Sequence, residues 1–170
     1  MNALPKPRNR TACLVAIVLC GWSTNGNAEG CPGGRENAIV VHAGTHLLSL
    51  CEASHAVRSF NVRIGHHGIG KIREGDGKTP TGDYSLGVPR PSRKYGIFIP
   101  IGYPTAAQSS KGYTGGAVGV HGPHRLLKWL RRAVNWFDTT DGCIGLATDE
   151  EMAEVANWVS HHPNVRITVE

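Results

Sequence analysis

Short apolar runs rich in β-branched residues, set apart by Gly and Pro, recur from residue 38 to the end of the 170-residue chain. Runs of this length suit strands, whose side chains point to alternate faces and whose branched residues pack well on a pleated surface. The pattern predicts strands near 38–43, 46–52, 57–64, 96–102, 116–121 and 164–169. Ala43, Gly44 and Thr45 join the first two and read as the turn of an opening hairpin. Helical spacing occurs in two places. After Thr148, a capping residue, Glu151 stands three positions on, and Met152, Val155, Ala156 and Val159 fall on one stripe. The segment HRLLKWLRRAVNWF, residues 124–137, has apolar residues at 126, 127, 130, 134 and 137 and four basic residues elsewhere. It reads as an ordinary amphipathic helix packed on a sheet, or as a lid over a cleft that meets anionic substrate. Strands outnumber helices, so the fold class is mainly β with one or two helices.

The first 28 residues follow a different pattern. Lys6, Arg8 and Arg10 precede an apolar run from Ala12 to Trp22, and a polar stretch ends in Gly26, Asn27 and Ala28. That order is a secretory signal peptide with cleavage after Ala28. The run is short for a membrane span, which needs about 20 apolar residues, so no stable membrane anchor is expected. Residues 29–170 then form one domain outside the cytoplasm, in the periplasm. The formal charge of +5 falls to +2, because the leader takes three basic residues and no acids and leaves 15 basic against 13 acidic. No basic run with interleaved aromatics suggests nucleic acid, and a mildly basic protein suits an anionic wall.

Cleavage also removes Cys13 and Cys20 and leaves Cys31, Cys51 and Cys143, an odd number in an oxidising compartment. Cys31 and Cys51 flank the hairpin, and a bridge between them would pin the CPGG arm to its second strand. Closing such a loop is worth about 3 kcal/mol in the chain-entropy model. Cys143 is left over as an inert buried thiol, an intermolecular disulfide or a reactive group. Its neighbours favour the last. Gly142 lets the backbone approach a ligand, Thr140 offers a hydrogen bond beside the sulfur, and the helix after Thr148 follows close enough to lend its N-terminal amides.

A thiol that attacks an acyl carbon needs a base, and histidine is the usual one near neutral pH. Nine histidines are present. His121 stands out, because AVGVHGPH alternates as a strand up to His121 and must then turn at Gly122 and Pro123. His66, His67, His161 and His162 read as surface or satisfied polar residues, and His124 is undecided. No HExxH, CxxC or similar ligand spacing points to a metal, and no cofactor is expected.

These residues carry a resemblance. HG, about twenty residues and then TDGCIGL resemble the HG…[S/T]xGC signature of the YkuD, or L,D-transpeptidase, catalytic domain. REGDGKTPTGDYSLG, residues 73–87, looks like that family's glycine-rich segment, and GGAVGVHG, residues 115–122, looks like its strand leading to the catalytic histidine. The resemblance spans roughly residues 38–147. It implies a twisted β-sandwich or partly closed barrel with a helix packed outside. It also implies that Cys143 is the nucleophile, that His121 is its base or ion-pair partner, and that backbone amides around Gly142 and Cys143 are oxyanion donors. Thr140, Asp141 and Gly122 fall in the matched motifs, and Lys78, Thr79, Tyr84 and Trp136 become candidates for the substrate cleft. The implied substrate is a peptidoglycan stem peptide, cut between its third residue and a D-alanine.

The chain departs from the commoner S-H-G-C pattern with an arginine two places after the cysteine. Asp141 replaces that histidine and Gly145 that arginine, and a branch with a T-x-G-C-I-A pattern matches NWFDTTDGCIGL better. Asp141 either orients a histidine or caps the turn. Three functions fit: an acyltransferase making L,D links, a hydrolase cutting them, or a wall-binding module without activity. A reactive thiol of depressed pKa would distinguish enzyme from binder, and product analysis would separate transfer from hydrolysis.

Overall fold

The computed structural model describes residues 31, 37–126, 129 and 140–170. The predicted leader over residues 1–28, Trp136 and most of the predicted helix at 124–137 lie outside them.

The opening hairpin is β1 (Asn37–His42) and β2 (Leu47–Glu52), joined by a 3-10 turn at Ala43–Thr45. His46, which closes that turn, is left-handed at φ 54°. β3 (His55–Arg63) continues the antiparallel meander. Then come β4 (Gly82–Ser85), β5 (Arg90–Ser92), β6 (Gly96–Pro100), the short helix α1 (Ala106–Ser110), β7 (Gly119–His121) and β8 (Ile144–Leu146). The 13-residue helix α2 (Asp149–His161) and β9 (Arg166–Val169) complete the chain. The nine strands of the described residues join one curled sheet in the order β4-β9-β1-β2-β3-β8-β7-β6-β5. Most contacts are antiparallel, but β9 runs parallel to β1, and β7 parallel to β8. The expectation of a mainly β fold with one or two helices therefore stands.

Register explains the core. Ile39 faces Leu50, Val41 faces Leu48, Leu48 faces Phe60, Val62 faces Leu146, and Val120 pairs with both Ile144 and Ile99. These side chains line one face as a single buried cluster that also takes Met152, Val155 and Ala156 of α2. Each fully buried aliphatic side chain there contributes about 1.5–3 kcal/mol. α2 starts where Thr148 Oγ1 accepts the Glu151 N–H at 3.1 Å, with Asp149, Glu150 and Glu151 in the first turn, where the helix dipole favours acids. It ends at His161 and His162, ahead of Pro163, as the residue before a proline avoids helical geometry.

The opposite face carries Ala38, Val40 and Cys51 at the hairpin end, with Cys31 bonded to Cys51 at a Cα separation of 5.8 Å. Further along that face lies the candidate site.

Candidate active site

Strand pairing sets the site. Val120 of β7 pairs with Ile144 of β8, and His121 with Gly145. Cys143, one residue before Ile144, therefore projects from the same face as His121; their register neighbours Gly119 and Gly145 carry no side chain, and the Phe98 ring and the Arg63 guanidinium lie over them. The register continues on both sides. Arg90 of β5 faces Phe98 of β6, Phe98 faces His121, His121 faces Gly145, and Gly145 faces Arg63 of β3. A transverse row of Arg90, Phe98, His121, Gly145 and Arg63 thus crosses five strands.

His121 is held from several directions. Its ring stacks on Tyr95 with centroids 3.7 Å apart and lies parallel to Phe98 at 6.4 Å. Nδ1 meets the carbonyl of Gly122 at 2.7 Å, and since a carbonyl only accepts, Nδ1 carries the proton. Nε2 is then the lone-pair nitrogen. It is buried and makes no hydrogen bond within the described residues. Burial, then the positive charges of Arg63, Lys94 and His124, push the imidazole down to about 4, against the pull of the Gly122 carbonyl. Near neutral pH His121 is an uncharged acceptor.

Cys143 is the free cysteine among the described residues, and it is half-buried. Its thiol donates to the Ala117 carbonyl at 3.6 Å. Ala117 itself is left-handed at φ 53°, a conformation unusual for a residue with a Cβ. Burial pushes the thiol up. The Gly119 N–H, Lys94 and Lys71 act the other way, and the Asp141 carboxylate adds to the rise. A depressed thiol is therefore not what this site holds at rest, since desolvation penalises the thiolate more than two nearby cations favour it.

The turn before Cys143 is tied by Thr140. Its Oγ1 donates to the Cys143 carbonyl at 2.7 Å and accepts from the Gly142 N–H at 3.3 Å. Its own carbonyl accepts from both the backbone and the ring Nδ1 of His66, at 3.0 and 2.9 Å. Gly142 sits at φ 118°, and any Cβ there would run into the Lys78 carbonyl, so glycine is required twice over. Lys78 belongs to the glycine-rich loop, which is stapled internally. Lys71 Nζ meets Asp76 Oδ1 at 2.8 Å, and the same carboxylate accepts from the N–H groups of Ile72, Arg73 and Lys78. Burial opposes ionisation of Asp76, yet Lys71 and those three amides hold it well below the usual carboxylate range.

A match to the L,D-transpeptidase catalytic domain model covers residues 36–167. The chain belongs to the YkuD family. Among solved structures, this YkuD domain resembles the helical cell shape determining protein Pgp2 from Campylobacter jejuni, at 25% identity and a TM-score of 0.66 over 79% of this chain and 47% of that one. Bd1075 from Bdellovibrio bacteriovorus follows at 19%, 0.60, 79% and 48%, and an L,D-transpeptidase from Mycobacterium smegmatis at 16%, 0.54, 79% and 58%. The last two, below 25% identity, share the fold. The chain spans about half the length of the first two structures. No curated protein sequence matches it.

Within the YkuD frame, the sequence candidates divide. Thr140, Asp141, Gly142 and Cys143 form one turn, and His121, followed by Gly122, ends the neighbouring strand β7 on the same face as Cys143. Lys78 touches that turn through its backbone. Thr79 and Tyr84 are not cleft residues. Thr79 is fully buried and its Oγ1 accepts from the Gly65 N–H at 2.8 Å. Tyr84, 1% exposed, lies in the core edge-on to Tyr103 and donates to the Thr81 carbonyl at 2.6 Å. Trp136 lies outside the described residues. Cys143 does not directly precede a helix either, as β8 stands between it and α2. The Gly142 N–H, offered as an oxyanion donor, is engaged by Thr140. Asp141, 95% exposed, lies 3.7 Å from His66 Nδ1, so its loose partner is a histidine read as ordinary surface. Arg63, Lys71, Asp76, Lys94 and Tyr95 were missed, because each reaches the site through pairing or loop closure with residues distant from the HG and GC motifs.

Proposed function

We propose that the chain is an extracytoplasmic L,D-transpeptidase that acts on peptidoglycan stem peptides through a thioester at Cys143. The observation that carries this reading is the buried His121, whose Nδ1 is taken up by the Gly122 carbonyl and whose Nε2 makes no hydrogen bond within the described residues, on the same sheet face as Cys143. The thiol proton passes from Sγ to Nε2 as sulfur attacks the carbonyl carbon between the third residue and D-alanine. The carbonyl oxygen becomes an oxyanion, for which the Cys143 N–H is the motif donor left once the Gly142 N–H bonds Thr140. The C–N bond then breaks, the imidazolium returns its proton to the departing amine, and D-alanine leaves. An amine from a second stem, attacking the thioester, gives an amide crosslink and restores the thiol. Water in its place gives a free carboxylate, so hydrolysis shares the acyl-enzyme.

The raised thiol and lowered imidazole support proton transfer in step with attack rather than a resting ion pair. A resting thiol thus does not favour a wall-binding module over an enzyme. The family match and the likeness to a cell-shape-determining protein support a substrate in the wall. The leader-like pattern of residues 1–28 supports delivery to the periplasm.

Tetrapeptide muropeptides and L,D-crosslinked dimers, incubated with the protein and resolved by mass, test the reading. Wild type is expected to release D-alanine, to form both crosslinked dimer and tripeptide, and to show a transient mass adduct on Cys143. Cys143→Ala is expected to lose all of these. Turnover that survives in Cys143→Ala would sink the proposal.

A further inference from the structure

Gly145 stands where many family members carry an arginine, and the space over it is not empty. A Cβ built on Gly145 would lie 2.8 Å from Arg63 Nη2, 3.1 Å from Cζ and 3.3 Å from Nε. Arg63 reaches that position from β3, the strand on the far side of β8 from β7, in direct register with Gly145. It is 2% exposed, and Nη2 also approaches the Leu146 carbonyl at 3.4 Å. Burying a guanidinium carries a large desolvation cost, and a methionine or leucine would fill the same volume without it. On the other side of Gly145 the next member of the row is His121, so the guanidinium stands beside the imidazole.

We propose that Arg63 is a positioning residue for the acyl transfer, supplying from β3 the fixed positive charge beside His121 that an arginine at position 145 would supply from β8. The inference rests on the reading of Cys143 and His121 as the reacting pair. The charge disfavours a resting imidazolium, so Nε2 stays a lone-pair acceptor until the thiol gives up its proton. It also makes the imidazolium formed in that step a stronger acid towards the departing amine. Among the described residues, the other titratable groups that act on the imidazole are Lys94 and the stacked Tyr95 before β6 and His124 after β7, while Cys143 lies on the same sheet face before β8. Asp149, at the first position of α2, approaches Gly122, and both it and Arg125 approach Gly96. None of these contacts involves the space over Gly145.

The test follows the His121 ring resonances by NMR through a pH titration of the resting protein. The variants are Arg63→Met, which keeps the bulk and removes the charge, and the swap Arg63→Ala with Gly145→Arg, which moves the charge to β8. In Arg63→Met the midpoint is expected to rise by about 1 pH unit, the usual effect of removing a nearby charge. In the swap it is expected to stay at the wild-type value. An unmoved midpoint in folded Arg63→Met overturns the inference, and so does a swap that does not fold or that titrates like a charge-free site. If Arg63→Met fails to fold, the swap alone decides by the same criterion. Turnover of tetrapeptide muropeptide is measured alongside. Its absence in wild type counts against the acyl-transfer reading, whereas the titration judges Arg63 whatever the turnover.

Discussion

His121 sits between the ring of Tyr95 and the carbonyl of Gly122 in a place that water does not reach. Its charge state therefore links to folding. In the unfolded chain a histidine titrates near its ordinary value of about 6.5, while burial brings His121 in the folded protein down to about 4. As the pH falls, the unfolded chain takes the proton first. The stability that His121 contributes is thus fully present above about pH 6.5 and is lost as the pH falls towards 4, a range worth about 3 kcal/mol. Urea midpoints at pH 7 and pH 4.5 check this. The drop between them should be clearly smaller in His121→Gln than in wild type, and equal drops would mean that the ring is solvated or already charged.

Among the elements, the loop at 65–79 bears directly on the nucleophile turn, because the Lys78 carbonyl packs on Gly142 and His66 bonds the Thr140 carbonyl. What gives that loop its shape is Asp76, which ties Lys71 and three backbone amides together. Asp76→Ala leaves the ammonium of Lys71, nearly buried, without its carboxylate. Loss of one partner of a buried pair costs about 3 kcal/mol or more. Unfolding measurements should show that loss together with faster alkylation of Cys143, since Lys71 favours the thiolate and no longer has the Asp76 carboxylate beside it. A loop that melted without changing Cys143 would separate the two roles. The elements legible in the sequence are those whose signal is local. The hairpin, α2 and the strand ending at His121 each carry their pattern within a few residues. β8 is three residues long with glycine at its centre, and β5 is three residues with a proline, so neither has an alternation to read. α1 has its capping box at Thr105 and Gln108 but no apolar stripe behind it. The pairing of Arg63 with Gly145 joins positions distant in the chain and exists only once β3 and β8 are adjacent.

At the scale of the molecule, one covalent link and one late strand stand out. The Cys31–Cys51 bridge ties the N-terminal arm to β2 on the face that carries Ala38 and Val40, across a sequence separation of 20 residues. Replacing both cysteines by serine should lower stability by about 3 kcal/mol on the chain-entropy account. Thermal melts under oxidising and reducing conditions test it: reduction should lower the wild-type midpoint and leave the double variant where it was. A wild-type midpoint indifferent to reductant would assign the bridge no thermodynamic role. The other feature is β9, which lies between β4 and β1 although it is the last of the nine strands to be synthesised. Until residues 166–169 have left the ribosome, β4 has no strand beside it and β1 has an open edge. A nascent chain thus stays short of its native sheet throughout translation of the eight earlier strands, which suits the export proposed above, since a channel that threads only unfolded polypeptide needs that loose form.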